Sequence, residues 1–484
     1  MPASPSLKQR TARGLLWGGI SNGSQQLLNV LFGILLARML TADDYGLIGE
    51  LLIFSALAGT LQESGFTLAL ANRKEVRHED YNAVFWFSLG VGTLLYLLLF
   101  FCAPLIAAFY GQPELVPLSR YLFLGFLISS TGAAQNAYLF RNLMVKQRAL
   151  AQLPALALSG CVGVGMVWYG YSYWGLATQM LLYITFTNVA LWFYSPWRPT
   201  LQLNFRPLGE LFGFSSKLLL TNLFLQLNNN LLSSMLGKLF TKSDVGYYTQ
   251  SAKWNTQAFS LINGMIGGVA QPVLAEVSAD AGRQRAVFRK MLRFAAFLSF
   301  PLMLGLALVA REFIVIAITD RWLACVPLLQ MLCVWGAFMP VVTLYTNLLL
   351  SGGRSTLYMW NIIAQSLLQL LGLLLIHPYG LHAMVALFVG INVGWLLIWH
   401  FFVWRSIGLR LREALTDVLP FCLLALLAMA GAWLLTRSIS NLYLLLIAKM
   451  AVAALLYVVL MRVSRAAIFR ESLQYLRSRN HRQA

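Results

Sequence analysis

Residues 22–46 read NGSQQLLNVLFGILLARMLTADDYG, and residues 222–246 read NLFLQLNNNLLSSMLGKLFTKSDVG. Aligned without a gap, about nine of the columns are identical, among them Asn22/Asn222, Gln26/Gln226, Asn29/Asn229, Thr41/Thr241, Asp44/Asp244 and Gly46/Gly246. Arg38/Lys238 and Glu50/Gln250 are conservative columns. Apolar helices match by chance through leucine, but not through amides, Thr, Asp and Gly in register. The chain therefore carries an internal repeat at an offset of 200 residues.

The repeat sits in a chain of 484 residues, 59% hydrophobic and 11% charged, with mean hydropathy +0.68. A soluble domain carries about a quarter charged residues. A soluble chain this poor in charge would expose too much apolar surface to stay dispersed. A helix crossing a bilayer core needs about 20 mainly apolar residues. By that measure, spans are expected near residues 14–37, 46–70, 83–109, 117–139, 150–170, 174–194, 211–236, 246–274, 293–311, 326–350, 356–376, 381–403, 415–436 and 441–461. The expected fold class is all-α integral membrane, with about 14 transmembrane helices and a range of 12–14. The separation of 150–170 from 174–194 rests on Gly170 to Tyr173 alone.

The net charge of +19 raises the question of nucleic acid. The basic residues, however, fall in short clusters between apolar runs, as the positive-inside rule places them. Alternate loops hold Lys8, Arg10 and Arg13; Arg73, Lys74 and Arg77; Arg141, Lys146 and Arg148; Arg198, Arg206 and Lys217. The series continues with Arg283, Arg285, Arg289, Lys290 and Arg293; Arg354; Arg405, Arg410 and Arg412; and six arginines from Arg462 to Arg482. About 27 of the basic residues then lie on one side, which predicts an even number of spans and both termini in the cytoplasm. No nucleic-acid partner is expected. The basic N-terminus runs into an apolar stretch too long for a cleaved signal, so the first span is expected to stay in the protein.

Six spans separate the two copies, so the copies point the same way. A parallel repeat of this kind predicts two pseudo-symmetric six-helix bundles around a central cavity. The expected divisions are an N-terminal bundle at 1–200, a C-terminal bundle at 201–405, and two extra helices with a basic tail at 406–484. The loops are too short to hold a folded domain.

Enzyme and cofactor signals are lacking. The five cysteines lie in or beside apolar runs without a C-x-x-C pair, and the five histidines are scattered, so no metal is expected. No phosphate-binding G-x-x-x-x-G-K-[ST] occurs, so no nucleotide is expected. No nucleophile–base set is visible, and no cofactor is expected. Chemistry falls instead to polar residues inside spans. Asn22, Gln26 and Asn29 share a helix face at i, i+4, i+7, and Asn222, Gln226 and Asn229 repeat it. Amides facing lipid lose hydrogen bonds, so this face is read as a wall of a hydrated substrate path; bonding between helices is the alternative. Gln250, Lys253 and Gln257 line a third such face, suited to an anionic group. Glu50 and Glu63 are candidate cation-coupling residues, with an ion pair from Glu50 to Lys253 or a snorkelling side chain as the structural readings. In Thr41–Gly46 and Thr241–Gly246 (T-x-x-D-x-G), Thr or Asp is the expected helix cap and Gly the turn residue.

The phrases LARMLTADDYGLIGE (36–50), ESGFTLAL (63–70) and LLLFFCAPLIAAFYGQPEL (97–115) bear a resemblance in their order and spacing. So do LGKLFTKSDVGYYTQSAKWNTQAFSLINGMIGGVAQPVLAEVS (236–278), FPLMLGLALVAREFI (300–314) and DRWLACVPLLQML (320–332). Together they resemble the polysaccharide exporters, the Wzx-type flippases of the multidrug/oligosaccharidyl-lipid/polysaccharide superfamily. The resemblance runs from about residue 10 to about residue 400. Ala71-Asn72 stands where that family commonly has Ile-Gln. The resemblance implies two six-helix bundles and two extra C-terminal helices. It implies a lipid-linked oligosaccharide on undecaprenyl diphosphate as cargo, moved from the cytoplasmic to the periplasmic leaflet of a bacterial inner membrane. The glycan would serve capsule, O-antigen or exopolysaccharide, with a polysaccharide polymerase and chain-length machinery as partners. A cation-coupled multidrug exporter of the same superfamily is the nearest alternative, but acids and aromatics should line its pore. A membrane-embedded polymerase or ligase should present a large outer loop, which this chain lacks.

Overall fold

The computed structural model describes residues 7–63, 70, 76–201, 204 and 206–464, with the side chains of 7–16, 18, 20, 63 and 206–218 outside that description. Glu63, a candidate coupling residue, is among the side chains not described. The regular structure of the described residues is all helical, with no strand among them. They begin with α1 (Leu7–Met39), α2 (Ala42–Glu63), α3 (His78–Tyr110), α4 (Leu115–Ser130), α5 (Ala133–Arg141), α6 (Val145–Trp168), α7 (Tyr173–Tyr194) and α8 (Arg206–Leu239). They continue with α9 (Lys242–Glu276), α10 (Ala281–Leu308), α11 (Ala310–Ile318), α12 (Cys325–Ser351), α13 (Ser355–Ile376), α14 (Leu381–Gly394), α15 (Leu396–Ile407), α16 (Leu411–Thr436) and α17 (Leu442–Val463).

Eleven of these segments are long and apolar enough to cross a membrane, twelve if α4 and α5, bent by 48°, form one span. The difference from the fourteen expected spans falls on α1 and α8. Both exceed 30 residues, which is ample length at about 1.5 Å per residue. The count covers the described residues only, and part of each of these two helices lies outside the description of side chains. Two local features differ from expectation. The span expected at 117–139 breaks at Thr131–Gly132, with no proline to mark it. The span expected at 293–311 begins at Ala281 and is followed by the separate short α11.

Contacts divide the chain into two compact units, Met1–Gly246 and Tyr247–Ala484. In the first, α6 packs on α7, α3 on α4, α1 on α6 and α2 on α8. Leu115, Leu118 and Phe123 of α4 are fully buried there. In the second, α10 packs on α12 and on α16, and α16 on α17, around buried Phe288, Phe300, Met303 and Trp399. Many large apolar side chains stay exposed, such as Phe101, Leu375, Leu427 and Leu435. In water this would be a liability; in a bilayer it is the lipid-facing surface.

Charge holds the last two helices to the second unit. Arg285, Arg289 and Arg293 recur every four residues on α10 and face Glu413 and Asp417 on α16. Arg285 pairs with Glu413, Arg289 reaches Glu413 at 3.4 Å and Asp417 at 2.6 Å, and Arg293 reaches Asp417 at 3.5 Å. On α17, Lys449 pairs with Glu312 of α11 at 2.8 Å, and both are buried. Asn441 caps α17 by accepting from the amides of Tyr443 and Leu444.

Candidate functional site

The amide stripe can be followed around α1. At about 100° per residue, Gly33, Leu36 and Leu40 continue the face of Asn22, Gln26 and Asn29. Asn22 is exposed and Gln26 and Asn29 half-buried, whereas Gly33, Leu36 and Leu40 are buried. The opposite face carries Leu27, Leu31 and Leu35, with Leu27 74% exposed. Such a leucine ridge is what a helix presents to lipid, so the amide side belongs to water or protein. One tie to a neighbouring helix is made one position off the stripe, where Gln25 Nε2 donates to Gln152 Oε1 of α6 at 3.2 Å.

α8 repeats the arrangement. Asn222 and Gln226 are half-buried and Asn229 is exposed, and their face continues as buried Ser233, Leu236 and Gly237. On α9, Gln250 is fully buried with neither amide atom partnered among the described residues, while Lys253 and Gln257, further along, are half-buried. On each helix the polar face is covered near the Thr-x-x-Asp-x-Gly turn and opens away from it.

Both turns lie in the first unit, and they meet. Each is a capping box. Thr41 N and Oγ1 donate to Asp44 Oδ2 at 2.8 and 2.7 Å, and Thr241 N and Oγ1 to Asp244 Oδ2 at 3.2 and 2.7 Å. The glycines are not the turn residues expected from sequence. They sit inside the first turns of α2 and α9, and each presses on the other copy. A Cβ on Gly46 would overlap the carbonyl of Lys242, and one on Gly246 the carbonyl of Ala42. Ser243 Oγ donates to Asp43 Oδ1 at 2.5 Å. Lys242 Nζ lies 3.2 Å from Glu114. Glu114, in the short loop after α3, is held below the usual carboxylate range by its own backbone amide and then by Lys242. Lys238 Nζ donates to Phe109 O at 2.6 Å, and Tyr110 Oη shares a hydrogen bond with Ser234 Oγ at 3.1 Å.

Glu50 lies behind this junction, 0% exposed. Its Oε1 accepts from Gln112 Nε2 at 2.7 Å, and its Oε2 is buried without a partner among the described residues. Gln112 is delivered by Gly111, whose positive φ of 71° ends α3. Within this unit the partner of Glu50 is therefore Gln112. Its Cγ packs over Gly237, where an added Cβ would be 2.8 Å away.

The sequence reading missed a second polar region. A cavity of about 570 Å³ lies inside the first unit, walled by α2, α3, α4, α5, α6 and α7. Arg148 and Asn188 line it. In the sequence Arg148 reads as one of the loop charges, because it stands so close to Arg141 and Lys146. Among the described residues, no group of His, Cys, Asp and Glu is arranged to hold a metal ion.

The family described as polysaccharide biosynthesis protein matches residues 35–327. The teichuronic acid biosynthesis protein TuaB of Bacillus subtilis (strain 168) is 26% identical over 395 residues, 81% of this chain and 80% of that protein. The succinoglycan biosynthesis transport protein ExoT of Rhizobium meliloti (strain 1021) is 22% identical over 490 residues, 99% of each chain. The fold is shared with the lipid II flippase MurJ in an inward closed conformation, with TM-score 0.74, 14% identity, and coverage of 94% of this chain and 100% of that one. The match spans more than half of the chain and takes in residues 35–46 of the first copy of the repeat and the whole of the second. The chain belongs to the polysaccharide biosynthesis protein family.

Proposed function

We propose that the protein carries oligosaccharides linked to undecaprenyl diphosphate across the bacterial inner membrane by alternating access, from the cytoplasmic to the periplasmic leaflet. The observation that carries this reading is the duplicated amide face, open at one end of α1 and α8 and sealed at the other by the paired turns. A hydrated glycan needs amide donors and acceptors along its way, while its lipid tail can remain in the bilayer. The sealed end is periplasmic and both termini are cytoplasmic, following the basic loops. A polymerase and chain-length machinery would take up the product. The protein itself makes and breaks no covalent bond.

Glu50 is the coupling residue in this scheme, with Glu63 as the second candidate. A bare carboxylate at Glu50 would leave Oε2 buried without a partner, at a cost of several kcal/mol. A cation bound there lets α2 close on α8; its loss to water favours opening. The deciding test is reconstitution in liposomes with a fluorescent lipid-linked sugar. Leaflet exchange above that of empty liposomes supports the proposal, and its absence removes it.

A further inference from the structure

The cavity in the first unit is built around a break in a helix. α4 ends at Ser130 and α5 starts at Ala133 after a 48° bend, and Gly132 and Ala133 form part of the cavity wall. The carbonyl freed at Thr131 is satisfied by Trp192 Nε1 at 2.8 Å, so the bend is held by a specific bond. The small size of Gly132 is required, because a Cβ there would overlap the Asn188 amide. Where a membrane helix is broken, the N-terminus of its second half is a seat for anionic groups.

The side chains at this seat agree with that polarity. Arg148 lines the cavity, and among the described residues its buried Nε has no hydrogen-bond partner. Its guanidinium lies 5.1 Å from the centroid of the Phe140 ring, which holds it at the wall. Asn188 is 8% exposed, and its Nδ2 is used by Ile184 O at 2.9 Å, but its Oδ1 is buried with no partner. Asn136, in the first turn of α5, lines the same space, and among the described residues its side-chain amide makes no hydrogen bond. Gln62, by contrast, donates to Phe126 O and accepts from Ser129 Oγ. The lining thus offers one cation, a spare amide, a spare acceptor and an apolar wall. No carboxylate is among its described residues. The volume is that of a small-ligand pocket.

We propose that this cavity is a binding site for one acidic sugar residue of the glycan cargo, with its carboxylate on Arg148. This rests on the proposal that the cargo is an oligosaccharide. A guanidinium takes a carboxylate through two parallel hydrogen bonds. Asn188 Oδ1 can accept only from a donor, which a sugar hydroxyl supplies, and Asn136 serves a second hydroxyl. A single guanidinium matches a single negative charge; a diphosphate carries more charge than this lining can neutralise. The same cation, unopposed, repels cationic drugs.

The test uses the full chain in nanodiscs, with methyl glucuronide, methyl glucoside and inorganic phosphate as probes, read by saturation-transfer NMR and titration. The glucuronide is expected to bind at least about tenfold more tightly than the glucoside, the scale of a charged hydrogen bond. Arg148→Gln should bring the two sugars level, and Arg148→Lys should keep part of the difference. Asn136→Ala should weaken both sugars while preserving their ratio, which separates a local change from misfolding. Equal binding of the two sugars, or a ratio that survives Arg148→Gln, overturns the proposal. Phosphate competing as well as glucuronide and depending on Arg148 also overturns it, assigning the site to a phosphate group. Leaflet exchange of a neutral lipid-linked sugar keeps the two ideas separable. Exchange without carboxylate selectivity removes the site and leaves the carrier. Selective binding without exchange of any lipid-linked sugar leaves the site and removes the carrier.

Discussion

Gly246 on α9 sits against Ala42 on α2 so closely that an added Cβ would lie 3.0 Å from the Ala42 Cα and overlap its carbonyl. Gly46 makes the reciprocal approach to Lys242. Gly246→Ala should therefore force the two turns apart. Overpacking of this kind costs about 1–3 kcal/mol. Spin labels at Asp43→Cys and Ser243→Cys should show one short distance in the parent chain. The Gly246→Ala background should give a longer and broader distribution, with slower transport. An unchanged distribution would show that the contact can relax without opening.

Glu50→Gln keeps the shape and the hydrogen bond with Gln112 but abolishes cation binding. The labelled turns should stay at their parent separation. Transport should lose its response to an imposed ion gradient. A gradient response as strong as in the parent would exclude Glu50 as the coupling group.

Asp417 ties Arg289 and Arg293 to α16, and its side chain is 5% exposed. Asp417→Ala should cost about 1–3 kcal/mol, between the values for exposed and buried pairs, because the arginines are part-exposed. Glu413→Ala should cost less, since Glu413 is more open to solvent. Thermal unfolding in detergent measures both. If Asp417→Ala proved as stable as the parent, the ladder would not hold the C-terminal hairpin.

Lys449 and Glu312 are a closed pair in an apolar setting. Lys449→Met leaves Glu312 buried and uncompensated, at about 3–5 kcal/mol. Adding Glu312→Met should recover most of that loss, because a buried ion pair and a well-packed apolar pair are of similar stability. A double-mutant cycle checks this. Additive losses would mean that the two residues act independently.

The helices themselves were legible in the sequence. Apolar length sets a span, so 326–350 and 356–376 fall inside α12 and α13. The helix caps were legible too, because Thr41 and Asp44 are three residues apart and the chemistry is local. What escaped was non-local. Gly46 looked like a turn glycine, and only the approach of a segment 200 residues away reveals its use. The Arg289–Asp417 bonds join residues 128 apart, and no single stretch records them. Arg148 was hidden by its neighbours: a cation four positions into a helix is read as a loop charge until the break at Gly132 turns a cavity toward it.

The turn-to-turn junction has the form of a homodimer contact folded into one polypeptide. Gly46 meets Lys242 as Gly246 meets Ala42, so the patch is isologous with itself. In such a patch each substitution disturbs one of two equivalent clamps, and release of either frees both turns together. A chain of half this length, carrying a single copy of the motif, would find its complement in a second molecule of itself.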